Sequence, residues 1–224
     1  MFTRLMRWSF NLAFAMLTER DVEGLENLPP HGPYILTINH MSYFDTPLIY
    51  GLIGGDHITG WAANKYLRHP LFGPIVRLGG GIFIRRGEVD RGALASAVEW
   101  LKQGKVFAMS PEGTRSKTGA LARAKTGAAY LAHQVNVPIV PAAISGSEKL
   151  GQTLLRLRRA RLVVRFGKLF RLPSLQEGDR VAGLRKHTDE IMCRIATLLP
   201  PAYRGFYAEH PRLKLLLAEA GVIR

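Results

Sequence analysis

The 224-residue chain has a single cysteine, so no disulfide can form within it. That fits a reducing compartment and excludes a disulfide-stapled scaffold. Long apolar runs are missing as well. The longest, residues 8–17, is broken only by Ser9 and Asn11 and is half of the roughly 20 residues that a transmembrane helix takes. There is no repeat and no low-complexity segment, and with 47% apolar and 9% aromatic residues the chain can build a full core, which excludes disorder. Acidic residues are scarce: 17 Asp and Glu face 31 Lys and Arg, a formal net charge of +14. Such an excess points to an anionic partner, whether nucleic acid, a membrane surface, an acidic protein or a phosphorylated substrate, or to a well-solvated basic surface. No zinc spacing, basic zipper or aromatic RNA-binding strand accompanies it, so a nucleic-acid partner is not expected.

The first 17 residues contain Arg4 and Arg7 ahead of the apolar run. A signal peptide does not fit, because its nominal cleavage site, Ala13-Phe14-Ala15, lies inside that run. Two readings remain. In one, residues 1–20 form a helix lying in a membrane interface, with Trp8, Phe10 and Phe14 in lipid and the arginines at lipid phosphates. In the other, the helix packs on the protein's own core.

Turn and periodicity signals then alternate strands with helices. Residues 29–33 make a proline-rich turn. Strands are expected at residues 34–38, 80–84, 106–109, 137–144 and 161–166. Helices are expected from Asp45 through Leu52, from the cap Asp90 to Gly104, at about residues 120–135, and at about 181–199. Pro138 and Pro141 place their strand at an edge or at a bulge. Cys193 falls off the apolar face of the last helix. The pattern predicts a single α/β domain over residues 1–224, with a largely parallel mixed sheet flanked by helices and a motif-bearing core at 34–144. The tail, residues 200–224, is either a second interfacial element or a packed terminal helix.

In such sheets the ligand crevice lies beyond the C-terminal ends of the strands, where three polar segments fall. His40 follows the first strand, and Asp45 opens the next helix five residues later. A carboxylate there can hold one imidazole nitrogen as N–H and leave the other to take a proton. Alternatively, Asp45 only caps its helix and His40 packs in the turn. No third ligand offers itself at a usual spacing, so no metal is expected. Glu112, Gly113, Thr114 and Arg115 follow the strand at 106–109 in a polar loop that suits a phosphate, with Lys125 and Gly127 just beyond. Arg85 and Arg86 leave the strand at 80–84 on opposite sides. From residue 156 to 171 there are seven basic residues and no acidic one, a stretch suited to anionic lipid, to the phosphates of a nucleotide carrier or to an acidic carrier protein, or else a solvated strand edge.

Together these segments resemble the glycerolipid acyltransferases. Residues 39–45, Asn-His-Met-Ser-Tyr-Phe-Asp, resemble the family's first box, NHxSxxD. Residues 80–86 resemble its second, with Arg86 as the conserved-type arginine. Pro111-Glu112-Gly113-Thr114-Arg115-Ser116 resembles the third, and Val137-Pro138-Ile139-Val140-Pro141 the fourth. Ser110 departs from the aromatic residue usual before the third box. The resemblance implies acyl transfer from acyl-CoA or acyl carrier protein to the free hydroxyl of lysophosphatidate, with His40 as general base and Asp45 orienting it. Arg86, Glu112, Gly113, Thr114, Arg115 and Lys125 would bind the acceptor, with no cofactor beyond the acyl donor. Glycerol 3-phosphate or another lysolipid remains open as acceptor, as does a non-catalytic lipid-binding role. A peripheral position on the cytoplasmic face of the membrane, against anionic lipid, is the expected location.

Overall fold

Seven short strands, the central ones buried on both faces, supply the centre of the fold. The computed structural model describes residues 2–70, 72–85, 90–175 and 179–221. In chain order the elements are α1 (Phe2–Leu17), β1 (Thr18–Glu23), β2 (Tyr34–Ile38), α2 (Asp45–Ile53), β3 (Ile58–Ala63), α3 (Phe72–Leu78), β4 (Ile82–Ile84), α4 (Arg91–Lys102), β5 (Val106–Met109), α5 (Gly127–Val135), β6 (Ile139–Ser145), α6 (Leu150–Leu155), β7 (Ala160–Phe166), α7 (Arg180–Thr197) and α8 (Pro211–Glu219). The sheet order is β1-β7-β6-β2-β5-β3-β4. Every neighbouring pair is parallel except β6 with β7. This is the single α/β domain that the alternation of patterns predicts. All five residues of β2 are buried, as a strand covered by helices on both sides must be. Cys193, Ile191 and Leu213 belong to the core on the α4–α5–α7–α8 face, and Phe14, Leu48 and Leu150 to the core on the α1–α2–α6 face.

Three expectations need correction, and one open choice, edge or bulge for the strand with Pro138 and Pro141, is decided. The helix expected from residue 120 begins only at Gly127. Residues 120–126 are not helical because their backbone groups bond across the fold: Leu121 N–H donates to the Tyr203 carbonyl at 2.9 Å, and Ala124 N–H to the Tyr207 hydroxyl at 3.1 Å. Cys193 is fully buried, because α8 covers the side of α7 that the helix's own apolar stripe leaves open. β6 is no edge strand but lies between β7 and β2. Pro141 is accommodated by a bulge. Pairs Ala142–Phe166 and Ile139–Phe170 are three residues apart on β6 and four apart on the partner segment, so the ladder slips one residue where no N–H is available. Finally, Phe14 is buried against α2 and the sheet, and Phe10 stands edge-on to Tyr50 of α2 at 6.1 Å, so neither is free for lipid. The 200–224 tail supplies α8, whose Leu213, Leu216 and Leu217 are buried.

Candidate active site

The chain leaves β2 through Asn39, which is fully buried. Its side-chain amide donates to the Ile144 carbonyl at 2.8 Å and its amide oxygen accepts from Ile144 N–H at 2.7 Å. The amide thereby splices the end of β2 to β6 and sets where the next residue, His40, departs. Asp45 stands in the first turn of α2, but it caps nothing: the cap position is Phe44, with no side-chain bond. Its carboxylate turns back instead. Oδ2 accepts from Met41 N–H and Ser42 N–H, both at 2.7 Å, and lies 2.8 Å from His40 Nδ1. Oδ1 accepts from the Ser147 hydroxyl at 2.5 Å. Asp45 is 3% exposed and His40 17%.

This arrangement favours one tautomer of the neutral ring. A carboxylate already holding three other donors offers Nδ1 an acceptor, so Nδ1 carries the proton and Nε2 carries the lone pair. Nε2 has no partner among the described residues, and His40 lines a large cleft. Ser147 was not visible as a site residue in the sequence. It follows β6 without a motif, and only the sheet order brings it to Asp45.

Glu112 is 3% exposed and does not line the cleft. Its two carboxylate oxygens accept from His40 N–H at 3.1 Å and Ala122 N–H at 2.8 Å, so it anchors the backbone of the histidine rather than meeting a ligand. Burial pushes its carboxyl up, and the two N–H donors offset only part of that, so it stays above the usual carboxylate range. The structure therefore does not bring Glu112 together with the cleft residues expected to bind the acceptor. Thr114 is exposed and also outside the cleft lining, because the turn at Gly113 points the following residue to solvent. Gly113 itself has φ 71°, and a Cβ there would sit 3.3 Å from Lys125 Cδ. Only glycine suits both demands.

Arg115 and Lys125 both line the cleft. The Arg115 guanidinium stacks on the Tyr43 ring, 3.3 Å from its centroid, which fixes the plane of its donor fork. The Lys125 ammonium has no partner among the described residues. Ser110 adds a solvent-shielded hydroxyl with no hydrogen-bond partner, also on the cleft wall. Arg85 lines the cleft, and Arg86 lies outside the described residues. The remaining walls are mostly apolar, including Met6, Trp61, Ile84, Leu94, Val98 and Tyr130, with Asp90, Arg91, Glu99 and Gln134 among them. The cleft encloses about 1170 Å³, more than the roughly 300–1,000 Å³ of most small-molecule sites. Arg115 and Lys125 share the lining with the histidine, and most of the rest is apolar. That is the shape of a receptacle for an anionic amphiphile. Among the described residues no cluster of His, Cys, Asp and Glu could hold a metal ion.

Comparison with known proteins agrees with the geometry. The chain is 33% identical over 139 residues to a chloroplastic 1-acyl-sn-glycerol-3-phosphate acyltransferase from Brassica napus, a stretch covering 59% of this chain and 39% of that protein. It is 34% identical over 128 residues to a 1-acyl-sn-glycerol-3-phosphate acyltransferase alpha from Ovis aries, covering 56% and 44%. The matched stretch thus spans less than half the length of either relative. The crystal structure of a 1-acyl-sn-glycerophosphate acyltransferase from Thermotoga maritima superposes with a TM-score of 0.65 at 26% identity, covering 84% of this chain and 76% of that one. A model of the Acyltransferase family matches residues 19–145, which hold His40, Asp45 and the Gly113 loop, and the chain belongs to that family.

Proposed function

We propose that the protein transfers an acyl group from a thioester, acyl-CoA or acyl carrier protein, to the free hydroxyl of lysophosphatidate. The observation that carries the reading is the His40–Asp45 pair at 2.8 Å, with Nε2 free on a mostly apolar cleft that Arg115 and Lys125 also line. In this mechanism Nε2 takes the hydroxyl proton as the oxygen attacks the thioester carbonyl. The C–S bond breaks, the new ester forms, and the imidazolium returns its proton to the departing thiolate. Asp45 holds the ring and stabilises the imidazolium. Arg115 and Lys125 hold the acceptor's phosphate, with Arg86 as a third cation. The thioester is already activated, so the scheme needs neither metal nor acyl-enzyme.

The same reading places the protein peripherally on the cytoplasmic face of a membrane. Phe2, Leu5, Trp8, Leu12 and Met16 form an exposed apolar stripe along α1, with Arg4 beside it, as an interfacial helix requires. No described helix is long and apolar enough to cross a membrane.

The test is thiol release with acyl-CoA and acyl carrier protein as donors and lysophosphatidate and glycerol 3-phosphate as competing acceptors. Lysophosphatidate should be preferred. His40→Ala should lower kcat by about 10²–10⁴-fold with the melting temperature unchanged, and Asp45→Asn should also cost turnover. Wild-type turnover in folded His40→Ala would overturn the mechanism.

A further inference from the structure

The end of α6 contains a local contradiction. The helix closes with a Schellman motif: Arg158 N–H donates to the Thr153 carbonyl at 3.1 Å and Leu157 N–H to the Leu154 carbonyl at 2.9 Å. The residue just past the cap in this motif is left-handed, and glycine is the unstrained choice. Here it is Leu157, at φ 54°. The apolar contact that usually accompanies the motif is missing, because the two positions that would make it are Thr153 and Arg158. Leu157 is instead 97% exposed, and Leu155, two residues before it, is 88% exposed. The fold neither requires nor covers these leucines, yet carries one of them at a conformational cost.

Their surroundings are cationic. Arg156 and Arg158 flank Leu157, and neither guanidinium has a partner among the described residues. No acidic residue occurs from 150 to 171 or from 1 to 17. Arg159 ties the turn to the C-terminal end of α1, donating to the Ala15 carbonyl at 2.9 Å and the Thr18 carbonyl at 2.5 Å. Met16 is exposed at that same helix end. α1, α2 and α6 all pack on one face of the sheet, and Met6 and Phe10 of α1 line the cleft. The leucine turn, the apolar stripe of α1 and one wall of the cleft are therefore connected through α1.

We propose that the turn joining α6 to β7 is a second membrane-insertion point, which puts Leu155 and Leu157 among the acyl chains of an anionic bilayer and Arg156 and Arg158 at its phosphates. The proposal rests on the membrane reading above and adds a second foot to it. Two feet at separated points fix the orientation of a peripheral protein, where a single helix leaves it free to roll. Here they would hold the cleft against the source of its lipid substrate. Apolar side chains flanked by arginines match an anionic bilayer better than a protein partner, because lipid phosphates satisfy the guanidinium groups at the depth where the leucines enter.

The experiment uses the full chain with an environment-sensitive fluorophore on Leu157→Cys. Cys193 stays unlabelled, being buried with its thiol pushed up to about 12. The control carries the label at Val181→Cys on α7, which packs against the opposite face of the sheet and leaves Val181 79% exposed. On vesicles of phosphatidylcholine with phosphatidylglycerol, the label at 157 should shift to the blue and be quenched by nitroxide-bearing lipid, while the label at 181 stays aqueous. In parallel, Leu157→Gly should raise the melting temperature, because glycine suits the left-handed position, and weaken vesicle binding about tenfold. Opposite signs of these two effects are what a purely structural leucine would not produce. A bound chain whose label at 157 remains in water overturns the insertion point and leaves the membrane reading standing. Failure of the wild-type chain to bind vesicles overturns both. A dimer in sedimentation that Leu157→Gly dissolves also overturns the proposal, by assigning the turn to a second copy of the chain.

Discussion

At the scale of single residues, the site separates groups that meet substrate from groups that hold them. In the proposed function Arg115 belongs to the first kind. Its guanidinium is stacked on Tyr43 and so presents a fixed fork to an anion, and a charge-assisted hydrogen bond is worth about 1.5–3 kcal/mol. Arg115→Ala should therefore raise the acceptor KM by roughly 10–150-fold while leaving the donor KM near wild type. A lysolipid without phosphate should feel no such loss; an equal loss there would remove Arg115 from phosphate binding. Ser147 belongs to the second kind. It is fully buried and donates to the carboxylate oxygen of Asp45 that does not face the histidine. Ser147→Ala should lower kcat by about ten- to a hundredfold by loosening Asp45, with both KM values unchanged. A shift in acceptor KM instead would place Ser147 on the substrate. His40, Asp45, Arg115 and Lys125 were legible in the sequence because strand exits and a helix start announce them. Ser147 and Asn39 act through β6, and only the order of the strands reveals that β6 lies beside β2.

At the scale of elements, the errors of the sequence reading share one cause: tertiary partners outbid local pattern. Residues 120–126 carry helix-forming alanines, yet their backbone bonds go to Tyr203, Tyr207 and Glu112. β3 escaped notice because Gly60, whose position would bring a Cβ within 2.4 Å of the Ala108 carbonyl, interrupts its strand signal where the neighbouring strand comes close. The alternation of Leu162, Val164 and Phe166 in β7 was readable, since that strand has one face turned to solvent. The contact of α5 with α7 supports a prediction of its own. His133 Nε2 lies 2.7 Å from His187 Nδ1, so one proton serves both nitrogens and the pair cannot be doubly charged in this geometry. Burial holds both imidazoles below their ordinary 6.5, and for His133 the neighbouring His187 adds to it. A histidine with a lowered folded pKa binds fewer protons folded than unfolded as pH drops, so its stability is intact above about 6.5 and is lost below it. The melting temperature should fall between pH 7 and pH 5.5, and less steeply in His133→Gln. Parallel pH profiles of the two proteins would mean that the pair does not titrate on unfolding.

At the scale of the whole molecule, α1 belongs to three structures at once. Its Met6 and Phe14 are buried in the fold, its Met6 and Phe10 line the cleft, and its Trp8 and Leu12 face outward. Arg7 reinforces the first by donating to the Leu52 carbonyl at the end of α2, at 2.7 Å. Deleting residues 2–17 would therefore expose Leu48 and Ile49 of α2 and open the cleft. Burying each large apolar side chain contributes about 1.5–3 kcal/mol, so losing the helix should consume much of the roughly 5–15 kcal/mol by which a domain is stable. Truncation confounds anchoring with folding, and the outward stripe alone separates them. Trp8→Ser with Leu12→Ser should leave the melting temperature and the turnover of dispersed substrate near wild type. The same pair of substitutions should release the protein from anionic vesicles by about tenfold or more. The wild-type chain should bind such vesicles more weakly as salt rises without losing them altogether, because apolar burial persists when the arginine–phosphate attraction is screened. A flotation series across ionic strength decides the matter. Unchanged flotation of the double variant would assign the outward face of α1 to something other than lipid, and complete loss of wild-type binding at high salt would make the attachment electrostatic alone.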